Sequence, residues 1–437
     1  MIWRTLYTAL LVAALPWFLA RLWWRGRRER GYRRQIGERF GWYRIVPERA
    51  TLWVHAVSVG EARACAPLVC ALREEFSGCD LLLTCSTAAG REVLTQLHAG
   101  AAQIVWIPYD FPGAVSRFVT HFRPRLGVLV ETEIWPNLLA ACRAHAVPVV
   151  LANARMSETS AAGYRRWRAI ARPAFASLAA ACAQGEADAG RLASLGTANV
   201  SVCGNLKFDV VPDASQAQAG RAWRRALARP VLLLASTRAG EEKLLLEALA
   251  RAAAPMLVVL VPRHPQRFEE VHSLLDAHRA RLNGGLPVAR RSKGEEPHPE
   301  HRLYLGDTMG EMAFYYAAAD VAIVGGSILP LGGQNLIEAC AAGTAVVFGP
   351  SMYNFSDASR LALEAGAALQ AGGAQEAVQL ALGLLEDAAR RARMGAAGLD
   401  LCAAHRGATQ RHLAICKSLV QDRSAEGLPP ATAPARG

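Results

Sequence analysis

Apolar positions along the chain fall into two series of short runs, each run alternating with a helical stretch. In the first series, residues 51–56 read as a buried strand. Gly60 and Glu61 then open a helix whose apolar side is Ala62, Cys65, Ala66, Val69 and Leu72. Runs at 81–84, 104–107, 126–130 and 147–151 continue the series, and 86–90 turns into another helix. The pattern restarts near residue 230, with runs at 231–235, 256–261, 302–305, 321–324 and 345–348. Strands alternating with helices predict a parallel sheet covered on both faces. The expected class is therefore α/β, with two doubly wound domains facing a cleft and ligands at the carboxyl ends of the strands. Residues 208–220 carry Pro212, Ser215 and several small residues and read as the interdomain linker. From Asp422 the chain is rich in Pro, Ala and Gly, which predicts a disordered tail over 422–437.

The amino terminus breaks this pattern. Residues 6–20 are apolar apart from Thr8, with Trp17, Trp23 and Trp24 at the far end. Trp favours membrane interfaces. Snorkelling by Arg21 would stretch the segment to about 20 residues, the minimum for a bilayer crossing. The cluster Arg25, Arg27, Arg28, Arg30, Arg33 and Arg34 follows, whereas only Arg4 precedes. A cleaved signal peptide would carry its charge on the other side. The expectation is an uncleaved membrane-anchor helix over 1–24, with the bulk of the chain on the cytoplasmic side. A helix lying in the interface is the other form open to so short a segment.

A chain of 437 residues exceeds what one core supports, in keeping with two domains. Its 52% hydrophobic and 20% charged composition excludes a disordered chain. The net charge of +12, carried mostly by Arg, points to an anionic partner. Nucleic acid is not expected, because the basic residues lack interleaved aromatics outside the anchor. The ten Cys are scattered without zinc-site spacing and read as reduced, mostly buried thiols. No His-rich or Asp-rich cluster suggests a metal.

Candidate chemistry sits at strand ends. Glu61 lies at a helix start, where the dipole and free N–H groups stabilise a carboxylate, so helix capping explains it better than catalysis does. Glu131 and Glu133 directly follow the strand ending at Val130 and would repel each other unless one is protonated or paired with a cation. Arg263 and His264 follow the strand ending at Val261 and Pro262, a place suited to gripping a phosphate. Gly325 and Gly326 follow Val324, and Gly332-Gly333-Gln334-Asn335 opens a helix, so this glycine-rich turn reads as an anion site with Glu338 placed for a ribose hydroxyl. The spacing is neither that of a dinucleotide-binding fingerprint nor that of a P-loop.

Eight segments in order resemble the 3-deoxy-D-manno-octulosonic acid (Kdo) transferases of lipopolysaccharide synthesis. They are Gly37-Glu38-Arg39-Phe40-Gly41, Trp53-Val54-His55-Ala56-Val57-Ser58-Val59-Gly60-Glu61, Glu131-Thr132-Glu133-Ile134-Trp135-Pro136-Asn137, Asn153-Ala154-Arg155-Met156-Ser157, Gly204-Asn205-Leu206-Lys207-Phe208-Asp209, Val261-Pro262-Arg263-His264-Pro265, Gly306-Asp307-Thr308-Met309-Gly310-Glu311 and Gly332-Gly333-Gln334-Asn335-Leu336-Ile337-Glu338. The resemblance implies a GT-B fold: an acceptor domain over 25–210 and a CMP-Kdo domain over 211–421. It implies metal-independent, inverting transfer of Kdo from CMP-Kdo to the lipid A precursor lipid IVA at the inner membrane, with no cofactor beyond that donor. Glu61 falls at the position of the base, and Glu131 and Lys207 at positions that support the transition state. Arg263, His264, Met309, Gly310, Glu311, Asn335, Leu336, Ile337 and Glu338 fall where the family binds CMP. Ala345 where Pro is expected, and Cys85 where Thr is common, are departures away from these positions. The rival is another GT-B lipid glycosyltransferase using a UDP-sugar.

Overall fold

The computed structural model describes residues 2–209, 211–251 and 256–425. They form two compact units, one over Val211–Arg406 and the other from the described residues on either side of it. The first unit holds strands β1 (Thr51–His55), β2 (Asp80–Cys85), β3 (Gln103–Trp106), β4 (Pro124–Val130), β5 (Val149–Ala154), β6 (Ala180–Ala183) and β7 (Val200–Val202). The second holds β8 (Val231–Thr237), β9 (Leu257–Pro262), β10 (Ala289–Arg290), β11 (Leu303–Leu305), β12 (Val321–Val324), β13 (Ala345–Phe348) and β14 (Ala368–Gln370). Each unit builds one parallel sheet, ordered β3-β2-β1-β4-β5-β6-β7 and β10-β11-β9-β8-β12-β13-β14.

Burial explains the choice of residues. All of β1 is buried, and Trp53 in it is fully covered. Its indole N–H donates to Thr84 Oγ1 at 2.8 Å, so the one polar atom of the ring is satisfied. Gly127 on β4 makes room for that ring, since a Cβ there would stand 2.8 Å from Trp53 Cε3. The strand order reverses between β1 and β4 in the first sheet and between β8 and β12 in the second. Loops leaving these pairs diverge to opposite faces and open a crevice at the strand ends, the place where doubly wound sheets bind ligands.

Three expectations need correction. Residues 214–226, mostly read as linker, are the helix Ala214–Ala226, capped by Asp213 through the Gln216 N–H at 2.9 Å. Its small residues serve packing: a Cβ on Gly220 would stand 2.2 Å from the Phe314 carbonyl oxygen. The second unit ends at Arg406 rather than at 421, because the helix Ala408–Ala425 returns to the first unit and places Leu413, Cys416 and Val420 in its core. Residues 422–425, expected in the tail, belong to that helix, and 426–437 lie outside the described residues.

The amino-terminal segment is two helices, Ile2–Ala13 and Leu15–Arg28, bent by 48°. Pro16 is the second residue of the second helix, and its missing N–H weakens the join. Neither helix alone is long and apolar enough to cross a membrane. Trp3, Leu6, Leu10, Trp17, Trp23 and Trp24 are exposed, whereas the Tyr7 hydroxyl donates to Asp110 Oδ2 at 3.0 Å and Asn137 Nδ2 donates to Thr8 Oγ1 at 3.0 Å. The side chains of Arg28 and Arg30 lie outside the described residues.

Candidate active site

The crevice of the first unit begins with Glu61. Ser58 caps the helix Val59–Ala64, its Oγ accepting the Glu61 N–H at 3.3 Å. The Glu61 carboxylate turns back to accept the Val57 N–H at 2.6 Å and the Ser58 hydroxyl at 2.9 Å. This is a variant of the capping box in which the carboxylate takes the N–H of Val57 rather than that of the N-cap Ser58, so the structural role expected from the position is real. Yet the carboxyl is pushed up to about 7, by burial first and then by the nearby charge of Glu131, against the pull of those two donors. A carboxyl poised near neutrality can both hold and release a proton at working pH.

Glu131 leaves β4 in the left-handed region at φ 64°, an uncommon place for a residue with a Cβ. Its N–H bonds the Ala152 carbonyl at 2.9 Å. Its Oε1 lies 3.5 Å from Lys207 Nζ, and Lys207 is the cation that the paired carboxylates called for. Glu133 takes the other solution. Burial, with Glu131 adding to it, raises its pKa, while the Trp135 indole N–H donates to it at 2.6 Å. Asp110 holds the far end of this loop, accepting the N–H groups of Asn137 at 3.1 Å and Leu138 at 2.7 Å. Glu61, Glu131 and Lys207 are thus brought together at the first switch point, and Glu133 adds its field to Glu61.

In the second unit, Arg263 follows β9 and is half-buried, and His264 is exposed. The His264 ring is nonetheless partly covered, and this, with the charges of Arg238, Arg263 and Arg267, shifts it toward its neutral form. Asn335 Nδ2 donates to Glu338 Oε1 at 3.0 Å, and the Asn335 carbonyl accepts the Tyr316 hydroxyl at 3.4 Å. Glu338 and Arg263 both act on that phenol, so the three residues converge on Tyr316. Met309 is exposed and Gly310 is left-handed at φ 83°. The Glu311 carboxylate is engaged by Arg291 at 2.9 Å and by the Thr308 hydroxyl, which hold it below the usual range. Leu336 and Ile337 are buried, so their side chains serve the core and only main-chain atoms there could meet a ligand.

The glycine-rich turn is less open to anions than its sequence suggests. The N–H groups of Gly332, Gly333 and Ile337 go to Ser351 Oγ, the Gly326 carbonyl and Asn335 Oδ1. Fully buried Glu241 accepts from Gly326 N at 2.6 Å and Ile328 N at 2.9 Å. An internal carboxylate therefore occupies part of the nest. Sequence reasoning did not assign Glu241, Asp110 or Ser58 to the site. An acidic residue at a helix start was the available signal for Glu241, and the S-x-x-E spacing for Ser58.

Comparison with known proteins agrees with the geometry. Residues 34–210 match the family model described as 3-deoxy-D-manno-octulosonic-acid transferase (kdotransferase). A 3-deoxy-D-manno-octulosonic acid transferase of Bordetella pertussis is 47% identical over 94% of this chain and 98% of its own length. One from Haemophilus influenzae is 31% identical over 96% of this chain and 99% of its own length. Among solved structures, Anabaena Alr3699/HepE in complex with UDP superposes with a TM-score of 0.59 at 14% identity, covering 85% of this chain and 100% of that one, a likeness of fold. The fold is GT-B, and the chain belongs to the 3-deoxy-D-manno-octulosonic acid transferases, the glycosyltransferases that add Kdo in lipopolysaccharide synthesis.

Proposed function

We propose that the chain transfers Kdo from CMP-Kdo to lipid IVA, with inversion and without a metal ion. The observation that carries this reading is the Glu61 carboxyl, poised near 7 at the first switch point beside the Glu131–Lys207 pair. Glu61 takes the proton of the acceptor 6'-hydroxyl as that oxygen bonds to the anomeric carbon of Kdo. The bond from that carbon to the CMP phosphate breaks, and CMP leaves with the electron pair. Lys207 balances the charge that Glu131 brings to the site. In this reading Arg263 and the Asn335–Glu338 pair, which converge on Tyr316, hold the nucleotide. A departing monophosphate gathers less charge than a diphosphate, so fixed cations and dipoles suffice in place of a metal ion.

Purified protein with CMP-Kdo and lipid IVA is expected to give a Kdo-bearing lipid by mass spectrometry, with competition by CMP and not by UDP. A product formed only from a UDP-sugar favours the rival glycosyltransferase and overturns the donor.

The same reading places the protein at the inner membrane through its single amino-terminal anchor, with the catalytic units on the cytoplasmic side. The exposed Trp and Leu side chains of the bent helix pair suit the bilayer interface. The Arg residues over 25–34 suit anionic headgroups, at about 1 kcal/mol each. A chain beginning at residue 25 is expected to leave membranes in a high-salt wash that retains the full-length protein, as read by immunoblot of the two fractions. A truncated chain that stays bound contradicts the anchor.

A further inference from the structure

One peptide group in the first unit links the candidate site to the far end of the chain. Between Ala152 and Asn153 the β5–β6 pairing slips, with a register shift between Leu151 and Ala154 and Asn153 in the left-handed region at φ 51°. The carbonyl of this peptide accepts the Glu131 N–H at 2.9 Å. Its N–H, buried at the slip, donates to His412 Nε2 at 2.9 Å. His412 is fully buried on the helix Ala408–Ala425. Its Nδ1 lies 2.7 Å from the Ala408 carbonyl, a partner that can only accept. The ring is therefore neutral, with its proton on Nδ1 and its lone pair on Nε2. Burial pushes the imidazole down to about 4, which keeps that form over the working range.

Asn153 extends the link toward Lys207. Its Oδ1 accepts the Leu206 N–H at 3.0 Å, and its carbonyl accepts Gln184 Nε2 at 3.0 Å. Gln184 Oε1 accepts Asn205 Nδ2 at 3.1 Å, and Asn205 Oδ1 accepts the Lys207 N–H at 3.0 Å. Asp209, two residues on, accepts the Gly407 N–H at 2.7 Å and the Thr409 N–H at the start of the same helix.

We propose that His412 is a positioning residue for transfer: it orients the Ala152–Asn153 peptide, whose carbonyl holds Glu131, and with it the Asn153 side chain that holds the Lys207 segment. This rests on the proposed role of Glu131 and Lys207. A planar peptide turns as a unit, so losing the acceptor at its N–H loosens the grip of its carbonyl on Glu131. The chain's last described helix is thereby part of the site's scaffold.

The test compares His412→Leu, which removes the acceptor, with His412→Gln, whose amide oxygen can replace it. In His412→Leu, kcat is expected to fall about 10- to 100-fold, the scale of a small misplacement, with the KM for CMP-Kdo unchanged. His412→Gln is expected to recover most of the loss. Leu413→Ala, on the same helix, is expected to lower the melting temperature and leave kcat unchanged. A second readout needs no turnover. The chain has only four lysines, Lys207, Lys243, Lys293 and Lys417, so 13C-methylated lysine NMR can follow Lys207 directly. Its resonance is expected to shift in His412→Leu and to return in His412→Gln. Wild-type kcat with an unmoved Lys207 signal in His412→Leu overturns the proposal. So does a kcat loss that Leu413→Ala shares.

Discussion

Glu61→Gln is expected to abolish transfer, by about 10³-fold in kcat, while CMP affinity measured by calorimetry stays at the wild-type value. A general base contributes about 10² to 10⁴, and glutamine cannot take a proton. The change is otherwise mild. Glutamine serves the third position of a capping box as well as glutamate does, so the Val57 and Ser58 contacts have a partner. Stability should move in the opposite direction to activity. Folding raises the Glu61 carboxyl to about 7, so its contribution to stability is full at acid pH and is lost as pH rises through 7. At pH 8 the wild type bears the cost of a buried anion, on the order of 2 kcal/mol, which the amide avoids. Thermal unfolding at pH 5 and pH 8 checks this: the variant should gain on the wild type as pH rises. A variant that is equally stable, binds CMP and still transfers Kdo at the wild-type rate would remove Glu61 from the role of base.

How far the fold could be read from the chain depends on where each strand gets its identity. The buried central strands β4, β8 and β12 are runs rich in Leu, Val and Ile, and β1 carries Leu52, Trp53 and Val54 in a row, so the hydrophobic pattern shows them directly. Strand β6 is Ala-Ala-Cys-Ala, residues with little strand preference, and is a strand only because β5 and β7 flank it. Strands β7, β10 and β14 are two or three residues long at sheet edges, too short for any periodicity to register. The first half of the helix Ala214–Ala226 reads as linker because small residues mark loops and close helix contacts alike, and Gly220 is the second case. The site divides in the same way. Glu61 and Glu131 stand where strands end, which is visible locally. Lys207 stood out only through family likeness, although one lysine among so few was a signal in itself. His412 reaches Asn153 across 259 positions, and no local pattern could have joined them.

Lys207→Met is expected to lower kcat about 10²- to 10³-fold, the cost of removing one preorganised charge partner from a catalytic site. It should also displace the pH dependence, and this sets it apart from simple damage. Activity of the wild type should rise through an apparent pKa near 7, because only ionised Glu61 is a base. Glu131 raises that pKa by repulsion, Glu133 adds to it, and Lys207 offsets Glu131 from 3.5 Å. Without the ammonium, Glu131 acts on Glu61 uncompensated, and the acid limb of the kcat/KM profile should move to higher pH. Glu131→Gln removes the repulsion and should move the limb to lower pH, whatever its own cost in kcat. The two variants therefore shift the same limb in opposite directions from one ion pair, a result that loss of folding cannot imitate. Lys207→Arg tests geometry against charge. The guanidinium keeps the positive charge but needs a planar fork of partners where the ammonium is a compact point, and only 16% of the Lys207 side chain is exposed. Its acid limb should stay near the wild-type position while kcat falls. If Lys207→Met and Glu131→Gln titrate as the wild type does, Glu131 and Lys207 do not set the ionisation of the base, and the electrostatic account of this site fails.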